Sequence, residues 1–120
     1  MKKVIPIVLA LCFVVSLAFA QGAETTAITG DIIDNMCLDA HKTEDIAQFV
    51  KGHSKQCAIS PGCEASGYSV YSEGVVNKFD QESNARIAEF LKKEDSKLQV
   101  VVTALKNGEE LSLVSIENQQ

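Results

Sequence analysis

The sequence predicts a small, mainly β domain in which five strands close into a barrel. Three observations lead to this fold class. Two pairs of β-rich runs are each joined by a short loop that contains glycine, a pattern typical of antiparallel hairpins. A single strand precedes them, and a short amphipathic segment lies between them. Hairpins exclude an all-parallel sheet, because parallel neighbours need a long crossover connection.

The strands are predicted from alternating and β-branched residues. The first, AITGDII (27–33), alternates in hydrophobicity and contains Gly30. A glycine inside a strand is typical of a bulge or of a sharp bend at a barrel corner. The first hairpin is GYSVY and VVNKF, and the second is LQVVVTAL and LSLVSI (67–71, 75–79, 98–105 and 111–116). Asn107-Gly108 joins the second pair and is a strong short signal for a hairpin.

Two short helices are predicted, one before and one after the first hairpin. The first is expected from a cap at Thr43 to Gly52, and the second from a cap at Ser83 to Lys93. In both, apolar residues recur at i, i+3 and i+4, which gives one apolar face (Ile46, Phe49, Val50; Ile87, Phe90, Leu91).

This order of elements favours an OB-like Greek-key barrel within the α+β class. In the OB-fold a helix between strands three and four plugs the barrel, and the predicted helix at 83–93 has that position. The segment 37–66 then becomes a helical insertion after strand one. An open α+β sheet is the alternative.

The first twenty residues predict a cleaved signal peptide. Lys2 and Lys3 precede an apolar run, and Ala18-Phe19-Ala20 matches a cleavage site. The run is short for a membrane span, which takes about 20 apolar residues. We therefore expect an exported protein, periplasmic or extracellular, with one domain at 21–120 and no stable membrane anchor after cleavage. A retained anchor is the alternative.

The charge excludes one class of partner. The chain carries a net charge of −5, and loss of Lys2 and Lys3 with the leader would make it −7. Binding of nucleic acid depends on Lys and Arg that neutralise phosphates, so we expect no nucleic-acid partner. A protein or a small ligand of unknown identity is the expected partner.

The insertion contains all the cysteines and histidines that follow the leader. Cys37 and His41, and again His53 and Cys57, are four residues apart, and Cys63 follows. Residues four apart on a helix project from one face, so each pair could present sulfur and nitrogen together. Tetrahedral zinc takes four such ligands, and copper is also bound by soft sulfur ligands, to which Met36 could contribute.

A disulfide is the competing interpretation. In an exported protein, cysteines oxidise and persist as disulfides, so Cys37, Cys57 and Cys63 are disulfide candidates. Pairing of Cys37 with Cys57 and pairing with Cys63 are both open. Three cysteines leave one unpaired, which indicates an intermolecular bridge, a reactive thiol or an inert buried one. No C-x-x-C-H sequence occurs, so covalent haem is not expected.

Other parts of the chain give weaker indications. Tyr71 and Phe79 on the first hairpin are candidates for an exposed ligand-binding face, with core packing as the alternative. No arrangement typical of a nucleophilic or acid–base catalyst is present, so no catalytic residues are predicted and an enzyme is not expected.

The chain resembles a group of small exported bacterial proteins of uncharacterised function. The resemblance rests on the patterns G-x-x-x-D-x-x-C, H-x-x-x-C-A, a further Cys and G-Y-x-x-Y, and it covers nearly all residues after the leader. The matching positions are Gly30, Asp34, Cys37, His53, Cys57, Cys63 and Tyr68. It implies export and an OB-like fold, and it implies no activity.

Together these observations predict an exported binding or interaction module that is stapled by a disulfide within residues 37–63. The alternative is a zinc- or copper-binding protein that uses the Cys/His residues. A thiol-redox protein is the third possibility. The disulfide-stapled module needs no cofactor.

Overall fold

The computed structural model describes residues 24–120, so the predicted signal peptide at 1–20 lies outside the described residues. Five strands, β1 to β5, span Thr25–Asp34, Tyr68–Ser72, Val75–Phe79, Gln99–Asn107 and Glu110–Asn118. Five helices, α1 to α5, span Asn35–Ala40, Ile46–Gly52, Lys55–Ala58, Pro61–Ala65 and Gln81–Leu91. Within this part of the chain, no helix is long and apolar enough to cross a membrane.

The five strands form a closed barrel in the order β1-β2-β3-β5-β4. The two predicted hairpins are β2–β3 and β4–β5, and both are antiparallel. A short parallel pairing of Lys78 and Phe79 with Glu110 and Leu111 joins the hairpins. The mainly β, α+β fold class with five strands is confirmed, and the closed barrel replaces the alternative of an open sheet.

Strand β1 closes the barrel because it pairs with two neighbours. Its residues from Thr25 to Asp31 pair with β4, and those from Asp31 to Asp34 pair with β2. Gly30 lies at this change of partner, where an added Cβ would overlap the backbone carbonyl oxygen of Tyr71. The glycine is therefore required by the close approach of β2, which agrees with the bend expected at this position.

The barrel encloses an apolar core that α5 completes. The largest fully buried core side chains are those of Tyr68, Phe79, Ile32, Ile87, Leu91, Val70, Val100 and Val102. Phe79, which the sequence offered as part of an exposed ligand-binding face, is fully buried in this core. Tyr71 is half-buried on the same hairpin. Period-two alternation alone does not say which face of a strand points inward, and closure of the barrel decides it.

Two helices begin at aspartates and not at the hydroxyl residues expected from the sequence. Asp45, instead of Thr43, accepts from the backbone N–H of Gln48 at the start of α2. Asp80 accepts from the N–H of Ser83 at the start of α5. A carboxylate both caps the free N–H groups and interacts favourably with the positive end of the helix dipole.

The insertion, predicted at 37–66, begins two residues earlier in the structure, and residues 35–66 connect β1 to β2 through the four short helices α1 to α4. Contacts with the barrel hold this segment in place. The Tyr68 hydroxyl donates to the Ala58 carbonyl oxygen (2.8 Å). The Lys55 ammonium donates to the carbonyl oxygens of Lys93 and Ser96 (3.0 and 2.8 Å) just after α5. Helices of four to seven residues are not stable alone, so these contacts position the insertion.

Candidate metal centre

Four side chains of three chemical types converge where β1 enters the insertion. Asp34 ends β1, Cys37 lies on α1, His53 follows α2, and Cys57 lies on α3. One ligand atom of each, two sulfurs, one imidazole nitrogen and one carboxylate oxygen, lies within 4.8 Å of all the others. We call these four residues the Asp/Cys/His cluster.

Helix caps place the two cysteines of the cluster. The Asp34 carboxylate accepts from the backbone N–H of Cys37 (2.9 Å), which fixes Cys37 in the first turn of α1. The Ser54 hydroxyl accepts in the same way from the N–H of Cys57 (3.1 Å) on α3. His53 lies in extended backbone between α2 and α3, so the chain turns there. Each ligand thus stands at the start or the end of a short helix.

Asp34 and His53 form a buried pair with unsatisfied polar atoms. Their side chains are 0% and 3% exposed, and His53 Nε2 lies 2.8 Å from Asp34 Oδ1. Even so, neither these two atoms nor His53 Nδ1 has a hydrogen bond of good geometry. Buried polar atoms without partners cost about 1–3 kcal/mol each, so such a cluster needs a physical explanation.

The thiols are free, which does not support the predicted disulfide. The Cys37 and Cys57 sulfurs are 3.7 Å apart, whereas a disulfide bond is about 2.05 Å long. Cys63, on α4, is buried and is also a free thiol. A disulfide staple between 37 and 63 is therefore not part of this structure, and the insertion is held by the contacts to the barrel described above.

The electrostatics of the cluster favour an ionised Asp34 carboxylate beside a protonated Cys37 thiol. Burial raises the pKa of Asp34, but the nearby His53 imidazole, the hydrogen bond from the Cys37 N–H and the adjacent Cys37 and Cys63 thiols outweigh it, and the pKa falls to about 2. Burial and the neighbouring Asp34 and Cys57 raise the pKa of the Cys37 thiol. A thiol must lose its proton to bind a metal, so cation binding here would release protons.

His41 lies outside the cluster, although the sequence paired it with Cys37. Its ring forms an ion pair with Glu44 and stacks on Phe49, with 3.9 Å between the ring centroids. Helix α1 ends at Ala40, and His41 is its C-cap with φ −112°. The His41 backbone N–H still donates to the Cys37 carbonyl oxygen (3.1 Å), but the imidazole contacts Glu44 and Phe49 and does not join Cys37 in the cluster. His53 and Cys57 also lie on no common helix, yet they converge through the turn between α2 and α3.

Asp34 is the cluster residue that the predicted ligand set lacked. The signal for it was the D-x-x-C spacing, in which an aspartate caps the helix that carries the cysteine. Cys63 lies close enough to Asp34 to influence its pKa but does not belong to the group of four. The Met36 side chain is half-exposed, and its sulfur faces Gly62, so it does not join the cluster.

Comparison of the chain with protein-family models, with curated proteins and with solved structures finds no match.

Proposed function

We propose that this protein is a metal-binding module that holds one zinc ion on Asp34, Cys37, His53 and Cys57. The observation that carries the proposal is the convergence of four ligands, one carboxylate, one imidazole and two thiols, around buried Asp34 and His53 atoms that lack hydrogen-bond partners. A divalent cation would supply the missing partner to the carboxylate and to an imidazole nitrogen. It would also neutralise the negative charge that thiolates add beside Asp34.

The spacing of the sulfurs suits a tetrahedral ion. Zinc–sulfur bonds are about 2.3 Å long, so two sulfurs on one tetrahedral zinc stand about 3.8 Å apart. The Cys37 and Cys57 sulfurs are separated by 3.7 Å. The cysteines could therefore bind a common ion with little change in the relative position of α1 and α3.

The mixed donor set favours zinc over copper. Monovalent copper prefers thiolate and thioether ligands, whereas zinc accepts sulfur, nitrogen and carboxylate oxygen together. A copper site would be expected to use a soft ligand such as the Met36 thioether, but here the buried Asp34 carboxylate is the fourth ligand. Copper remains the second metal to test.

The histidines offer a matched pair of variants for the test. The full chain, purified under reducing conditions, is stripped of metal and titrated with zinc against a chromophoric chelator. We expect one zinc per chain. His53→Gln should weaken zinc binding at least about 100-fold, because loss of even an indirect partner of a metal ligand costs about 10–100-fold.

His41→Gln is the control, since His41 is a histidine of the same insertion that lies outside the cluster. We expect it to leave zinc affinity within about twofold, as for a surface substitution. Far-ultraviolet circular dichroism checks that both variants fold. A reduced protein that binds no zinc, or equal losses in the two variants, would refute the proposal.

We further propose that the barrel is OB-like and that the protein is exported. The strand order β1-β2-β3-β5-β4 and the position of α5 between β3 and β4 support the first statement. The leader at 1–20 supports the second. The mass of the protein recovered from a bacterial host tests export, because cleavage after Ala20 leaves Gln21 as the first residue. Recovery of only the uncleaved chain would contradict it.

A further inference from the structure

We infer that Cys37 and Cys57 form a reversible thiol–disulfide couple, and that the oxidised pair cannot hold the metal. The second part rests on the proposed zinc site. The couple differs from the staple predicted from the sequence, because the fold described here forms with both thiols reduced. Oxidation and reduction of this pair would instead convert the cluster between a dithiol form that can bind metal and a disulfide form that cannot.

The geometry brings these two sulfurs close enough to react. They are 3.7 Å apart, so formation of a bond of about 2.05 Å needs an approach of roughly 1.7 Å. The cysteines lie on separate short helices, α1 of six residues and α3 of four. Rotation of the two cysteine side chains, each on a short helix, can supply that approach while Ala58 and Lys55 keep α3 docked on the barrel.

Solvent exposure favours oxidation of Cys37 and Cys57 over oxidation of Cys63. Cys37 and Cys57 are half-buried residues, and therefore more open to a small reagent than the buried Cys63. Cys63 is 7% exposed on α4. Thiol–disulfide exchange begins with attack on an external sulfur and therefore depends on access. Cys63 should remain a thiol while the other two oxidise.

The oxidant belongs to the class of small-molecule disulfides, such as oxidised glutathione. One cysteine thiolate attacks a sulfur of the reagent, its S–S bond breaks, and one glutathione thiolate leaves. The second cysteine thiolate attacks the mixed disulfide, the Cys37–Cys57 bond forms, and the second glutathione thiolate leaves. Two electrons pass from the cysteines to the reagent, and in the metal-free protein the two thiol protons pass to the released thiolates. Zinc keeps its charge and departs as the divalent ion.

Oxidation removes half of the ligands from the cluster. A disulfide sulfur is not a thiolate, and the thiolate is the form that binds metal. Asp34 and His53 would remain, and two ligands do not make a closed zinc site. Metal binding and oxidation therefore exclude each other: bound zinc should protect the two thiols from oxidation, and the disulfide should prevent zinc binding.

The test uses the metal-free full chain with Cys12→Ala, which removes the leader thiol from the exchange, and oxidised glutathione as the oxidant. Peptide mapping by mass spectrometry should recover a peptide pair that links Cys37 to Cys57, with Cys63 alkylated. Cys63→Ser should form the same link. Cys57→Ser should give a glutathione adduct on Cys37 instead.

Zinc titration of the oxidised protein should show at least about a 100-fold loss of affinity, and a dithiol reductant should restore it. A predominant link to Cys63, or glutathione adducts with no internal link, would overturn the couple. Unchanged zinc affinity after oxidation would overturn the switch. If the reduced protein binds no zinc, the proposed function fails, whereas the peptide map still decides whether the couple exists.

Discussion

The hydroxyl of Tyr68 joins the barrel core to the insertion, and Tyr68→Phe removes only that oxygen. The Tyr68 side chain is fully buried and its hydroxyl donates to the carbonyl oxygen of Ala58, which is also fully buried (2.8 Å). Ala58 is the last residue of α3, the helix that carries Cys57. Loss of the hydroxyl should therefore reduce stability and also loosen the helix that positions one metal ligand.

The expected loss of stability in Tyr68→Phe follows from the burial of both hydrogen-bond partners. A hydrogen bond contributes about 0.5–1.5 kcal/mol net, and a buried acceptor that loses its donor costs about 1–3 kcal/mol. We expect Tyr68→Phe to lower the free energy of unfolding by about 1–2 kcal/mol. Burial, with Glu64 and Asp34 nearby, raises the pKa of Tyr68, so the hydroxyl stays protonated and the loss should not change between pH 6 and pH 8.

Urea unfolding of the metal-free protein measures this loss, and Tyr71→Phe provides the control. Tyr71 lies on the same strand and is half-buried, whereas Tyr68 is fully buried and bonded to Ala58. The control should change stability by less than about 0.5 kcal/mol. Equal effects of the two variants would show that the bond to Ala58 does not stabilise the protein.

Three further predictions concern the barrel, the pH response and the metal. Gly30→Ala should strongly lower the urea concentration at the unfolding midpoint, because its Cβ would overlap a backbone carbonyl of the neighbouring strand. Gly52→Ala is the control: no atom lies near the added Cβ, so the midpoint should stay unchanged or rise. Hydrogen bonds from Ser112 and Ser83 lower the pKa of Asp80 in the folded protein. The ionised Asp80 therefore stabilises the fold fully above its unfolded-state pKa of about 3.9, and this stabilisation is lost as the pH falls through its lower pKa in the folded state. Asp80→Asn should therefore flatten the loss of stability below about pH 4 in urea unfolding, and an unchanged acid slope would contradict this. Zinc should slow amide hydrogen exchange in 35–66 much more than in the strands, because helices of four to seven residues depend on such cross-links, and uniform protection would count against it.

Local signals predicted most of the barrel. Alternation and loop chemistry gave the five strands, although the second hairpin turns at Gly108-Glu109, one residue later than the expected Asn107-Gly108. Gly108 has φ +66°, so it occupies the turn position that needs a positive φ. Helix starts were less predictable, because several capping residues stand close together and only the surrounding structure selects one.

The ligand set was predictable in part. Cys37, His53 and Cys57 belong to the cluster as the Cys/His pattern indicated, and the structure adds Asp34 and leaves out His41 and Cys63. The pattern assumed that residues four apart share a helix face, which is true only inside a continuous helix. Because α1 ends at Ala40, that assumption did not apply to His41.

By itself, the sequence determined the features that depend on near neighbours in the chain. These are the strand and hairpin order, the approximate helices, and the concentration of thiol and imidazole groups in one segment. The tertiary structure decided which strand face is inside, that β1 pairs on both sides, and that Asp34 meets His53 from 19 positions away. Those contacts join residues distant in sequence, and only closure of the barrel and docking of the insertion bring them within bonding distance.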